Sequence, residues 1–157
     1  MPDQRGSLDR SGSPVITIKI AGIFKGGVQE FNAVLDTGFT GFISMPLFKA
    51  FPLGLVLFST TSVVFADTST QVRLLALGQA IIGEEPPQPG LIILEWGDGE
   101  VLVGMDFLRN MKKSLTISPA KGTVLLADDD RPPALATPHD TEAESVATEN
   151  DSKAAGD

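Results

Sequence analysis

The chain has 157 residues, 42% of them hydrophobic, which is enough for one domain with a proper core. It contains no Cys and a single His, His139, which excludes disulfides, thiolate or paired-His zinc sites, and Ser-His or Cys-His nucleophilic catalysis. Acid–base chemistry in this chain must therefore come from carboxylates, Lys or the backbone.

The net charge of −8 belongs mainly to one end of the chain. Residues 128–157 contain nine acids and two bases, so they carry seven of the eight net negative charges. Their richness in Asp, Glu, Ala, Pro, Thr and Ser predicts an acidic disordered tail. Residues 1–13 are polar and lack the continuous apolar run of a secretory signal, which predicts a disordered leader. The predicted domain is therefore residues 14–127.

Charge and hydropathy also exclude some partners. The domain is nearly neutral and has no basic stripe, so we expect no nucleic acid partner. The longest apolar-rich stretch, residues 42–58, is interrupted by Pro46, Lys49 and Pro52 and is not a membrane span. We expect a cytoplasmic protein without a membrane partner.

In chain order, residues 14–20 alternate, with Ile16, Ile18 and Ile20 on one face, which predicts a half-buried strand. Residues 28–35 return as its partner and end at Asp36. Further strands are predicted at residues 42–45, 62–66, 71–77, 80–82, 91–96, 100–104, 114–118 and 123–126.

The segments between these strands predict turns and one short helix. Residues 46–51 suit a helical turn, residues 67–70 a hairpin turn, and the Pro-rich residues 84–90 a rigid loop. Residues 105–111 predict a short helix that Asp106 is placed to cap, with Lys112 and Lys113 near its negative C-terminal end. The sequence therefore predicts an all-β body with one short helix.

Asp36 lies between two apolar runs and is followed directly by Thr37 and Gly38. An acid flanked in this way is expected to be partly shielded from water, and so to be hydrogen-bonded, paired or sharing a proton. Gly38 allows close approach of a ligand or another backbone. The other interpretation is a strand that ends in an ordinary Asp-containing turn.

A second segment, Val-Leu-Val-Gly-Met-Asp-Phe-Leu at residues 101–108, makes the pattern more specific. Together with the Asp-Thr-Gly of residues 36–38, it resembles the retropepsin-like aspartic peptidases over residues 14–127, and the cellular members most closely. The resemblance implies an all-β retropepsin-like acid protease fold, a closed barrel-like single lobe with one short helix. It also implies that Gly104 and Asp106 support the Asp36 loop from behind.

The sequence departs from that family's pattern in two places. Retroviral members carry an Asp four residues after the catalytic Asp and an Arg after the later Gly, which form an ion pair. Here those positions are Thr40 and Met105, so both partners are absent together and no unpaired charge remains. The turn at residues 67–70, where the family has its flap, lacks the usual glycines.

The resemblance implies a homodimeric aspartic endopeptidase without metal or cofactor. Such enzymes need two carboxylates about 3 Å apart that share a proton, and the chain has one Asp-Thr-Gly, so Asp36 would meet its own copy across a two-fold axis. By resemblance, Thr37 would hydrogen-bond to the partner loop and Gly38 would admit the substrate backbone. The residues implied to contact a peptide or protein substrate are Thr40, Ala66, Asp67, Thr68 and Ser69. The alternative is a catalytically silent dimerisation or peptide-binding module on the same scaffold.

Overall fold

The computed structural model of the protein describes residues 3–24 and 26–129. Two short helices, α1 (Leu47–Ala50) and α2 (Met105–Asn110), lie in this part of the chain. Its strands are β1 (Gln4–Leu8), β2 (Pro14–Ala21), β3 (Val28–Leu35), β4 (Ile43–Pro46), β5 (Val56–Val64), β6 (Thr70–Ile81), β7 (Gln88–Glu95), β8 (Val101–Val103), β9 (Lys113–Ser118) and β10 (Thr123–Asp128). The predicted mostly-β architecture is confirmed. Among these residues, no helix has the length and apolar character needed to span a bilayer.

The strands form one sheet in the order β5-β6-β7-β4-β8-β3-β2-β1-β10-β9. Strand β8 lies between β3, to which it is parallel, and β4, to which it is antiparallel. The sheet bends back on itself, because β6 pairs with β2 as well as with β5 and β7. This topology brings the strand before Asp36 and the strand after its loop to opposite sides of β8.

The core is formed by the side chains on one face of the bent sheet. Ile16, Ile18 and Ile20 of β2 are buried, as their alternation predicts. A second buried set runs across five strands and consists of Leu35, Val103, Ile43, Ile92 and Ala76. Removing each large aliphatic side chain from water contributes about 1.5–3 kcal/mol, so this face provides the main force that closes the sheet.

The prediction of a disordered leader over residues 1–13 is wrong for β1. This strand pairs with β10 from Gln4↔Leu126 to Ser7↔Thr123, and with β2 through Ser7↔Val15. Apart from Leu8, which packs against the core, β1 has no apolar side chain, so hydrophobic periodicity gives no signal; main-chain pairing with β10 and β2 holds the strand in place. Gly6 suits the position, because a Cβ there would overlap the carbonyl oxygen of Val15.

Three other sequence expectations are corrected by the structure. Strand β7 begins at Gln88, inside the stretch predicted to be a rigid loop. Asp106 does not cap α2; the N-cap is Gly104, without a side-chain hydrogen bond, and the Asp106 carboxylate pairs with Arg109. Asp128, assigned to the tail, is the last residue of β10. Asp129 follows β10, and its N–H donates to the Lys112 carbonyl at 2.8 Å. Residues 130–157 of the predicted tail lie outside the described residues.

Candidate active site

The Asp36 loop, residues 36–42, is held at both ends by the same short strand. Leu35 of β3 and Ile43 of β4 both pair with Val103 of β8, and the Asp36 N–H donates to the Val103 carbonyl at 3.0 Å. Since its two ends are pinned to one residue, the intervening chain must turn back sharply. Asp36 therefore lies at a defined point just beyond the end of β3.

The start of α2 supports this loop from behind. The N–H groups of Gly104, Met105 and Asp106 donate to the carbonyls of Phe42 (3.2 Å), Phe39 (2.9 Å) and Thr40 (3.1 Å). Helix N-termini have N–H groups without intrahelical partners, and here the loop carbonyls satisfy them. A Cβ on Gly104 would overlap the carbonyl oxygens of Phe39 and Gly41 and lie 2.7 Å from Phe39 Cδ1. The structure thus brings Gly104 and the main chain of Asp106 against the loop.

We expect Gly104→Ala to displace the Asp36 loop and to lower the free energy of unfolding by about 2 kcal/mol, the range seen for overpacked sites. Urea unfolding measures this loss. Gly99→Ala is the matched control, because the nearest atom to its Cβ, Pro46 Cγ, is 3.9 Å away. If both variants unfold at the same urea concentration as the unmodified protein, the loop does not depend on the close approach at Gly104.

The Asp36 side chain is exposed in the single chain, as are Thr37 and Gly38. Its Oδ1 accepts the Gly38 N–H at 2.9 Å, and its carbonyl accepts the Phe39 N–H at 3.1 Å. The expectation that apolar flanks shield the acid is wrong for the isolated chain, because Leu35 points into the core while Asp36 lies beyond the strand end. A Cβ on Gly38 would lie 3.2 Å from Asp36 Oδ1, so glycine keeps that side of the carboxylate open.

Next to Asp36, a set of side chains crosses the face of the sheet opposite the core; we call it the floor row. Pairing places Val34 opposite Leu102, Leu102 opposite Ser44, Ser44 opposite Ile93, and Ile93 opposite Leu75. Ser44 is buried and the other four are half-buried. Side chains alternate along strands, so Asp36 follows on the side of Val34. No local sequence pattern predicts the floor row, because only the register between strands aligns these residues.

The floor row continues into a groove of about 440 Å³ between the sheet and α2. Its lining includes Leu75, Leu91 and Ile93 from the sheet, and Asp106 and Asn110 from the helix. The walls are therefore apolar with a polar end, a composition common in ligand grooves.

Strands β5 and β6 form the flap hairpin, whose turn comprises residues 65–69. Asp67 Oδ1 accepts hydrogen bonds from the N–H of Ser69 (2.9 Å) and from its hydroxyl (2.6 Å), and these bonds lower the pKa of Asp67 below its ordinary value. Thr68 adopts φ 66°. An Asx turn thus forms the tip of this hairpin, and the turn contains no glycine.

The predicted substrate contacts are placed as follows. Ala66, Asp67, Thr68 and Ser69 are exposed and form the tip of the flap hairpin, where Asp67 and Ser69 bind each other. Thr40 is exposed in the Asp36 loop, and its carbonyl binds the Asp106 N–H.

A second concave surface, of about 550 Å³, adjoins Thr37 and is lined by α2 and the start of β9. Lys113 lies in its wall with its side chain only 1% exposed, and its ammonium donates to Glu85 and Asp128. Burial opposes the charged form, but the hydrogen bonds to Asp128 and Glu85 outweigh it and raise the pKa of Lys113. The predicted role of Lys113 at the end of α2 is replaced by this buried ion pair.

Comparison with solved structures gives a similar fold in a retropepsin-like aspartic protease from Rickettsia conorii. The TM-score is 0.54 at 19% sequence identity, over 80% of this chain and 90% of that chain. No protein-family model matches the chain, and no curated protein matches its sequence. The similarity supports the fold expected from the sequence, at the level of architecture.

Proposed function

We propose that the protein is a homodimeric aspartic endopeptidase in which two copies of Asp36 form the catalytic pair. The observation that carries this proposal is an exposed carboxylate on a loop that is clamped between three strands and a helix start. Such a carboxylate is rigidly placed but cannot act alone, since peptide hydrolysis of this type needs a second carboxylate beside it. The retropepsin-like fold supports the same reading.

The second carboxylate would come from a second copy of the chain. In an isologous dimer the same surface of each subunit meets its counterpart, so a residue on the two-fold axis meets itself. Thr37 adjoins both Asp36 and the concave surface near β9, and β9 is an edge strand of the sheet. We assign this side of the molecule to the dimer contact, with Thr37 bonding across the axis.

The mechanism follows from the shared proton. Two carboxylates in contact cannot both ionise, so one is charged and the other protonated. The charged Asp36 takes a proton from a water molecule that attacks the peptide carbonyl, while the protonated Asp36 of the partner subunit gives its proton to the carbonyl oxygen, which forms a tetrahedral diol. The first Asp36 then passes the water's proton to the peptide nitrogen, the C–N bond breaks and the amine leaves. The diol's hydroxyl proton returns to the partner subunit's Asp36 as the carboxylic acid product forms, so the pair is again singly protonated. Gly38 leaves room for the substrate backbone beside the carboxylate. An extended peptide would lie along the floor row, with the flap hairpin excluding water above it.

The test is cleavage of an unstructured polypeptide, measured against protein concentration and pH, with sedimentation in parallel. We expect specific activity to rise with the dimer fraction, and a bell-shaped pH profile, because only the singly protonated pair is active and the pair titrates in two coupled steps. A protein that stays monomeric at every concentration, or a stable dimer that cleaves nothing, contradicts the peptidase. The second outcome leaves a dimeric peptide-binding module.

A further inference from the structure

The flap hairpin leaves the sheet at a definite place. Strand β6 pairs with β7 from Ala80↔Gln88 to Leu74↔Leu94, and beyond Leu74 the described pairings of β6 are with β5. Arg73, paired with Thr61, is the first residue past this junction. The hairpin beyond Leu74 does not pair with β7, so a side chain at residue 73 can limit how far this part of the hairpin moves.

The Arg73 side chain reaches back across the junction. Its Nε donates to Glu95, the last residue of β7, and a second guanidinium nitrogen donates to Gln71. Its Cζ lies 5.6 Å from the ring centre of Phe65, which begins the flap turn. Arg73 thus contacts the free hairpin on one side and the sheet on the other.

Glu95 connects this contact to the site. Its second carboxylate oxygen accepts the Ser44 hydroxyl at 3.3 Å, and Ser44 belongs to the floor row on the strand that follows the Asp36 loop. Arg73 is 8% exposed and the Glu95 side chain 30%. Because water reaches this charge pair only in part, removing one partner leaves the other charge poorly solvated.

We propose that Arg73 is a positioning residue that tethers the flap hairpin to the cleft wall, through Glu95 and Ser44, at a fixed height above the floor row. The proposal rests on the proposed peptidase function for its effect on turnover. The Arg73 side chain contacts Glu95, Gln71 and Phe65, so it reaches neither Asp36 nor the bond that would be cleaved beside it. Its loss weakens closure over the substrate and leaves the carboxylate pair intact, so it acts on substrate binding and not on the chemical step.

The experiment compares Arg73→Met, Arg73→Lys and a matched control, Lys19→Met, which removes an exposed strand cation. In Arg73→Met we expect the amides of Phe65 and Thr68 to exchange hydrogen at least about tenfold faster, because the flap turn opens more often. KM for a peptide substrate should rise about tenfold while kcat stays within about twofold, the pattern of lost binding without lost chemistry. The pH profile of cleavage should keep its shape. In Arg73→Lys, KM should lie between the wild-type value and that of Arg73→Met.

Hydrogen exchange needs no activity, so the two proposals fail separately. Unchanged exchange at Phe65 and Thr68 overturns the tether whether or not the protein cleaves peptides. Faster exchange in a protein without cleavage keeps the tether and removes the peptidase. A fall in kcat with unchanged KM in Arg73→Met also overturns the tether, because the effect would then lie on the chemical step. If Arg73→Met does not fold, Arg73→Met/Glu95→Met removes both charges together and is tested by the same two measurements.

Discussion

Replacing Asp36 by Asn is expected to lower kcat for peptide cleavage by about 10⁴-fold or more, the range for removal of a residue that acts directly in the chemistry. Asparagine has the same shape, and its side-chain oxygen still accepts the Gly38 N–H. It cannot take a proton from water or share one with its partner. Because Asp36 is exposed in the single chain, the free energy of unfolding should change by no more than about 0.5 kcal/mol.

The control for this substitution is Asp98→Asn, an exposed acid in the turn before β8. A sharper test mixes wild-type and Asp36→Asn chains under conditions that allow subunits to exchange. If both carboxylates are needed, an equal mixture should have about one quarter of the activity of wild type at the same total chain concentration, because only dimers of two wild-type chains are active. The proposed pair is contradicted if the mixture has half of that wild-type activity, or if the Asp36→Asn protein cleaves as well as wild type.

Replacing Lys113 by Met is expected to lower the free energy of unfolding by about 3 kcal/mol, the cost of removing one partner from a buried ion pair. Methionine fills a similar volume, so the loss comes from the charge. Lys113 joins the start of β9 to Glu85, in the loop before β7, and to Asp128 at the end of β10. Urea unfolding at neutral pH measures the loss, and Lys121→Met, an exposed cation in the β9–β10 turn, is the control.

The stability lost in Lys113→Met should depend on pH, in a direction set by the pKa shifts of Lys113 and Asp128. The hydrogen bond from Lys113 holds the pKa of Asp128 below its ordinary 3.8, so this stabilisation is present above pH 3.8 and is lost as the pH falls through the folded pKa. The pKa of Lys113 lies above its ordinary 10.5, so its contribution is present below pH 10.5 and is lost at higher pH. The difference between wild type and Lys113→Met should therefore be largest between about pH 4 and pH 10. If the stability difference between wild type and Lys113→Met does not shrink in strong acid, the ion pair with Asp128 is not its source.

The buried pair also bears on the proposed dimer. Lys113 lines the concave surface beside Thr37, and its partner Asp128 is the last residue of β10, which pairs with β9. A folded Lys113→Met chain should therefore show a weaker dimer in sedimentation, since the contact surface is held less firmly.

Local sequence patterns determined a large part of the architecture. Alternation at Ile16, Ile18 and Ile20 predicted a strand with one buried face, and the structure confirms it. The apolar run before Asp36, followed by Thr37 and Gly38, predicted a carboxylate on a tight loop at the end of a strand. Both predictions depend on residues a few positions apart, which is the range over which strand and turn preferences act. The support of that loop by Gly104, far along the chain, was implied only by the resemblance to the retropepsin-like peptidases.

Only the tertiary structure decided which distant residues meet. Arg73 finds Glu95 twenty-two residues away, and Lys113 finds Glu85 twenty-eight residues away. The floor row draws one residue from each of five strands, and a slip of one residue in register would turn each side chain to the other face. Strand β1 has one apolar residue, Leu8, and is held by main-chain pairing with β10 and β2, which its own sequence does not predict. Periodicity reports which face of a strand is buried, whereas the neighbour across the sheet is set by the packing of the whole chain.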